Sequence, residues 1–292
     1  MLFEYIVNYC EKLYNAIRRT SGCSHCNHPS GNCSGNCDNC LTQVHWGPKY
    51  NEREDYNCEK LIYRYVTEFA ERYTNNILHL LKYTDFEEYP FYNILSIGCG
   101  ATPDLMAIER CISEDDELEY TGYDRNPLWE PIHNQIERYM NGYNCTDVKL
   151  FRSDIFEYIH SADINNCNYN IIVIQYLISH LYNTHQNQRI DELYNGIVKI
   201  IDNSDNATPF LIIINDVDSY HKGRNLFLGL LNILEKQGYN GHAYAFSDYP
   251  NGDLGKIRWG ESFRRKGHIE YEYVAQKGVL EGAALVIELE VE

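Results

Sequence analysis

Two stretches carry residue types that could do chemistry. In CSHCNHPSGNCSGNCDNC, residues 23–40, five of the chain's 11 cysteines fall together. Cys23/Cys26 and Cys37/Cys40 form two CxxC pairs. Four thiolates at such a spacing suit a tetrahedral zinc site. Cys33 lies between the pairs and could replace one member, and His25, His28 and His45 are further candidate ligands. An iron–sulfur cluster would use the same thiolates. A closed four-cysteine site has no open position for a substrate, so its expected role is to hold structure or to recognise a partner. Metal binding is worth ~10–16 kcal/mol and can fold a loop too polar to fold itself.

The second stretch is ILSIGCGATPDLMAIE, residues 94–109. It reads as a strand running into Gly98-Cys99-Gly100, with a helix starting near Pro103. Glycines let the backbone turn sharply and approach a ligand closely. The helix start adds free N–H groups and a partial positive charge. A second strand ends in Gly122-Tyr123-Asp124, and an acid there can bind both hydroxyls of a ribose. A third ends in Ser153-Asp154-Ile155, where an acid can accept from an exocyclic amine while Ile155 packs on an adenine. A nicotinamide-binding fingerprint needs a third glycine where Pro103 stands, which disfavours that reading.

ILSIGCGATPD, YTGYDRNP and FRSDIFEY, in that order, resemble the first three motifs of class I S-adenosylmethionine-dependent methyltransferases. The resemblance covers about residues 90–292. It implies a seven-stranded, mostly parallel, doubly wound sheet with an antiparallel final strand. It implies that Gly98, Cys99 and Gly100 pass under the methionine part of the cofactor. Asp124, with Arg125 beside it, would hold the ribose; Asp154 and Ile155 would hold the adenine. Gln175 and Tyr176 would sit beside the sulfonium and the acceptor. The family often has an acid two residues before the first glycine; here that residue is Ser96. The strand-four sequence IQYLISHL lacks the Asn-Pro-Pro-Tyr type signature of enzymes that methylate amide or base nitrogens.

Methyl transfer is an in-line displacement that needs alignment and a deprotonated nucleophile. His180 and His221 are the candidate bases, with Tyr176 as a third catalytic candidate. Asp216 and Asp218 could bind a divalent metal, but that arrangement also needs an acid where Gln175 stands.

These residues need elements to place them. Residues 2–19 and 56–83 have apolar positions at helical spacing and flank the cysteine loop. Residues 1–88 are therefore expected to form a helical cap holding a zinc loop at 23–45. The cap should close over the cofactor edge and help form the acceptor pocket. Residues 89–292 alternate strand-like and helical runs, the signature of a parallel sheet covered by helices on both faces. The runs at 170–174 and 211–214 are continuously apolar and should be central. Three strand-like runs near the C-terminus, at 242–248, 268–275 and 284–292, compete for the last two places.

The chain has 292 residues and a net charge of −17. An acidic chain suits a neutral or cationic acceptor, so a protein, peptide or small molecule is expected before a nucleic acid. A nucleic-acid methyltransferase using the zinc module and the basic loop 256–266 is the alternative, and a non-catalytic S-adenosylmethionine-binding protein is the second. No signal peptide or membrane span is legible, so a cytoplasmic setting is expected, where disulfides are disfavoured.

Overall fold

The computed structural model describes residues 1–19, 37–46, 56–113, 115–204, 209–219, 223–247, 268–275, 279–280 and 282–290. Cys23, Cys26, Cys33, His221 and the basic loop 256–266 lie outside the described residues.

The sheet is built from β1 (Tyr92–Ile97), β2 (Leu118–Tyr123), β3 (Thr146–Phe151), β4 (Ile171–Gln175) and β5 (Phe210–Asp216), followed by β6 (Gly241–Ser247), β7 (Ile269–Ala275) and β8 (Ala283–Leu289). Its order is β3-β2-β1-β4-β5-β8-β6-β7. β8 inserts between β5 and β6 and runs antiparallel to both. The fold is α/β with a mostly parallel sheet and an antiparallel last strand, as expected. The strand count is corrected: the described sheet has eight strands, not seven. All three C-terminal runs join it, because residues 269–275 add a parallel edge strand to β6, with Ile269 opposite Gly241. Glu270 and Glu272 on that strand are exposed, and charge on an edge discourages pairing with another chain.

The helices are α1 (Leu2–Arg19), α2 (Cys37–Trp46), α3 (Glu59–Leu81), α4 (Pro103–Ile108) and α5 (Glu130–Met140), then α6 (Ile155–His160), α7 (Leu177–Asn183), α8 (Asn187–Asn203) and α9 (Leu228–Gln237). Residues 37–45 of the expected cysteine loop thus belong to a helix. Strand side chains alternate between faces. Ile94, Tyr120, Val148, Val173 and Ile213 point to one face and pack with apolar residues of α1, α3, α4 and α5. Leu95, Ile97, Ile172, Ile174 and Ile212 point to the other, against α6, α7, α8 and α9. Strands β4 and β5 are covered on both sides, which explains their unbroken apolar sequence.

α1 and α3 share the core of the sheet. Leu2, Ile6 and Cys10 repeat every four residues along α1, and all three are fully buried in that core. The Leu2 N–H donates to both carboxylate oxygens of Glu109, at 3.0 and 2.8 Å, which also places a negative charge at the start of α1. Ile6→Ala is therefore expected to lower the free energy of global unfolding by about 2–5 kcal/mol, in one cooperative urea transition. Fraying of α1 with an unchanged main transition would contradict the shared core.

Candidate active site

The glycine loop leaves β1 through two left-handed residues, Gly98 (φ 70°) and Gly100 (φ 49°). A side chain there would be strained. The Gly98 and Cys99 N–H groups donate to the Tyr123 carbonyl at 2.8 and 3.0 Å, which ties the loop to the end of β2. The next residue along β2 completes the link. Asp124 accepts from the Gly100 N–H at 3.0 Å through one oxygen and from the Asn126 N–H at 2.9 Å through the other.

Cys99 supplies backbone to this loop. Its thiol is turned toward Gly122, where an added Cβ would lie 2.9 Å from the Cys99 sulfur and 2.6 Å from Leu150. Burial, with Asp124 and Asp104 nearby, holds the Cys99 thiol well above its ordinary pKa. On the loop's other side, His133 Nε2 lies 2.7 Å from the Gly100 carbonyl. A carbonyl only accepts, so Nε2 carries the proton. The imidazole lies nearly parallel to Trp129 and is fully buried, and burial pulls its pKa down to about 4.

Asp154 caps α6 by accepting from the Phe156 N–H at 3.2 Å. Its other oxygen accepts from Arg189 at 2.9 Å, and that guanidinium lies 4.0 Å from the centre of the Phe156 ring. The residue expected to read an adenine amine is thus also a helix cap and an ion-pair partner.

At the end of β4, Tyr176 has φ 55°, which is costly for a bulky residue and typical of functional sites. Its N–H donates to the Asn215 carbonyl at 2.8 Å, and its ring centre is 4.3 Å from that of Tyr73 on α3. His180 lies on α7, with Nε2 3.4 Å from an Arg125 nitrogen. Asp216 and Asp218 are engaged in structure. Asp216 accepts from the Ser179 N–H at the start of α7, and burial pushes its carboxyl up to about 6. Asp218 pairs with Arg224 and accepts from the Ser247 hydroxyl.

One cleft collects most of these groups. It measures about 1200 Å³ including its open mouth. Gly98, Gly100, Asp124, Arg125, Asp154 and Ile155 line it on the side of β1, β2 and β3; Gln175 at the end of β4, with Tyr176 and His180 after it, line the rest. Tyr65, Tyr73 and Trp129 form an aromatic wall, with Val44 of α2 beside them. A smaller adjoining cavity is lined by Ser96, Cys99, Pro103 and Asp104. Asp104 is buried and accepts from the Tyr120 hydroxyl at 3.0 Å; burial pushes its carboxyl up to about 6. A carboxylate thus reaches the neighbourhood of Ser96 from α4.

Asp104, Trp129, His133, Tyr65 and Tyr73 were not legible as site residues. Tyr65, Phe69 and Tyr73 are visible in sequence as an aromatic stripe at a spacing of four, but such a stripe reads first as core. Among the described residues, no group of three or more His, Cys, Asp or Glu is placed to hold a metal ion. Cys37 and Cys40 are both buried in the first turn of α2. No described helix is long and apolar enough to cross a membrane.

No family model matches the chain, and no curated protein matches it. Among solved structures, the plantazolicin methyltransferase BpumL in complex with SAH aligns over 99% of this chain and 100% of its own, at 13% identity and a TM-score of 0.48. The CurJ carbon methyltransferase aligns over 80% of this chain and 58% of its own, at 12% identity and a TM-score of 0.44. A SAM dependent methyltransferase from Archaeoglobus fulgidus aligns over 74% of this chain and 94% of its own, at 14% identity and a TM-score of 0.41.

His133 gives the loop a pH signature. Its folded pKa lies below the unfolded value of about 6.5, so between pH 6.5 and 4 the unfolded chain takes up a proton that the folded chain refuses. This contribution destabilises the fold as pH falls. Asp104 and Asp216 act oppositely in the same window, because their raised pKa values let the folded chain bind protons first. His133→Gln isolates the histidine: the stability of wild type relative to this variant should fall by about 3 kcal/mol from pH 7 to pH 4 in urea denaturation. A pH-independent difference would mean that folding leaves the His133 pKa unshifted, and a difference that rises toward acid would mean that the fold holds the imidazole protonated.

Proposed function

We propose that this chain is an S-adenosylmethionine-dependent methyltransferase acting on a protein, peptide or small-molecule acceptor. The observation that carries this reading is the junction of Gly100 and Asp124. A glycine loop and a carboxylate at the tip of the next strand are joined by a hydrogen bond and open on one cleft. The two backbone N–H groups, one on each Asp124 oxygen, fix this carboxylate where it lines the cleft, and a carboxylate there suits the hydroxyls of a ribose. The glycines leave the backbone bare where a ligand must come close. The cleft lies at the carboxyl ends of the parallel strands, where open α/β sheets bind ligands.

The bound cofactor would supply an electrophilic methyl group. The chain's own residues would orient the two reactants, exclude water with the aromatic wall, and receive the acceptor's proton. His180 is the candidate base within the described cleft, and Tyr176 stands beside it; His221 is kept as a candidate on sequence grounds. The net charge of −17 favours a neutral or cationic acceptor, and the cytoplasmic setting is proposed on sequence grounds. S-adenosylhomocysteine is expected to raise the melting temperature, and Asp124→Ala to abolish the shift. An unshifted wild type would sink the cofactor reading.

The zinc reading is retained as a proposal for the N-terminal module. Cys37 and Cys40, one helical turn apart, would supply half of a tetrahedral site, and Cys23 and Cys26 the other half. Elemental analysis of the purified chain should find ~1 zinc per molecule. Cys37→Ser should remove it while the sheet keeps its far-UV circular dichroism. Iron with visible absorbance, or no metal at all, would end this reading.

A further inference from the structure

Asn126 stands two residues after Asp124 and bonds in three directions. Its N–H donates to Asp124 Oδ1 at 2.9 Å. Its side-chain oxygen accepts from the Leu128 N–H at 3.1 Å, and its Nδ2 donates to the Tyr56 carbonyl at 2.8 Å. A backbone N–H only donates and a carbonyl only accepts, so these two partners fix the amide's orientation. The Leu128 bond starts the turn Pro127–Trp129, and Trp129 lines the cleft. The Tyr56 bond reaches 70 residues back along the chain. One side chain thus ties the carboxylate at the end of β2 to the segment just before α3.

That segment belongs to a separate unit of packing. Cys40 and Leu41 of α2 pack with Cys58, Leu61 and Phe69 in a small core, with Val44, Tyr56 and Tyr65 at its margin. Its buried members are distinct from those of the two cores that flank the sheet. α2 is also held by an ion pair from Arg64 to Asp38 at 2.6 Å, but the Asp38 side chain is largely exposed, and exposed pairs contribute little. A unit with so small a core opens at lower cost than the sheet. Yet Val44 and Tyr56 line the cleft, and the Tyr56 ring meets Tyr65 edge-on with centres 4.9 Å apart. Part of the cleft wall therefore rests on the less stable unit.

We propose that Asn126 is a positioning residue that couples cofactor binding at Asp124 to the seating of Tyr56 and α2 against the cleft. This deepens the methyltransferase reading and rests on it. A ligand that engages Asp124 steadies the Asp124–Asn126 bond and with it the donor aimed at the Tyr56 carbonyl, so the small core closes on a fixed partner. The coupling is reciprocal: a seated Tyr56 segment holds Asn126, and through it Asp124, ready for the ligand. The cofactor therefore binds first and completes the cleft for the acceptor.

The test is hydrogen–deuterium exchange of the full chain with and without saturating S-adenosylhomocysteine. In the wild type the ligand should slow exchange of residues 37–46 and 56–58 at least about fivefold. Asn126→Ser keeps an oxygen for the Leu128 N–H but is too short to reach the Tyr56 carbonyl. In this variant the ligand should still bind, about fivefold more weakly, and should slow exchange of those residues less than about twofold. A purely structural role for Asn126 would raise exchange in the variant and leave the ligand's protection intact. Asn126→Asp, of the same size but without the donor, repeats the test should Asn126→Ser fail to fold. Unprotected residues in the ligand-bound wild type, or protection that survives in the variant, would overturn the coupling and leave the cofactor reading standing, as would loss of ligand binding by both variants. A wild type that binds no S-adenosylhomocysteine would overturn both.

Discussion

The structure depends on the strap between the ends of β1 and β2. Three backbone N–H groups of the Gly98–Gly100 loop donate into residues 123 and 124, two to the Tyr123 carbonyl and one to the Asp124 carboxylate. Backbone donors in a tight turn cannot pair within the turn, so they must find acceptors outside it. The strap satisfies them and in doing so fixes the Asp124 carboxylate. It also demands close approach of the two strands. Gly122 leaves room for the Cys99 thiol, and His133 holds the Gly100 carbonyl from beneath. One requirement, satisfaction of a glycine turn, thus organises the loop, the neighbouring strand and the helix that carries His133.

α3 serves two surfaces at once. Its residues Ile62, Val66, Ile77 and Leu80 lie in the core on one face of the sheet, while Tyr65 and Tyr73 reach the cleft. A 23-residue helix with 13 buried positions has little solvent face left. The aromatic wall is therefore as rigid as the core behind it. Buried amides extend this rigidity to β4 and β5, since Asn76 of α3, Gln175 and Asn215 form one connected group. Low dielectric strengthens such networks and makes an unpaired member costly. The unpaired Gln175 oxygen stands out against that background.

The acids of the site illustrate how packing reassigns roles. Asp216 and Asp218, at and just past the end of β5, could in sequence bind a divalent metal only with a further acid where Gln175 stands. In the fold, the first accepts from the start of α7 and the second is bound to Arg224 and Ser247. Asp104, in the first turn of α4, comes to lie buried beside Ser96 and Tyr120. Each carboxylate went where a donor was waiting, and sequence position alone does not reveal the donors.

Local pattern determined a large part of this protein. Short apolar runs marked the strands and helical apolar spacing marked the long helices, because strands covered on both faces are apolar throughout while a helix buries one stripe. The glycines at 98 and 100 and the acids at 124 and 154 were legible because backbone geometry and ligand chemistry restrict residue types at strand ends. Tertiary structure decided the rest. It recruited a third C-terminal strand to the sheet edge, since strand-like sequence does not say which partners are free. It joined α1 and α3 to the core of the sheet, and it brought Tyr65, Tyr73, Asp104, Trp129 and His133 to the cleft. These residues belong to helices whose pattern announces burial, but the partner against which a residue is buried is a property of the assembled chain.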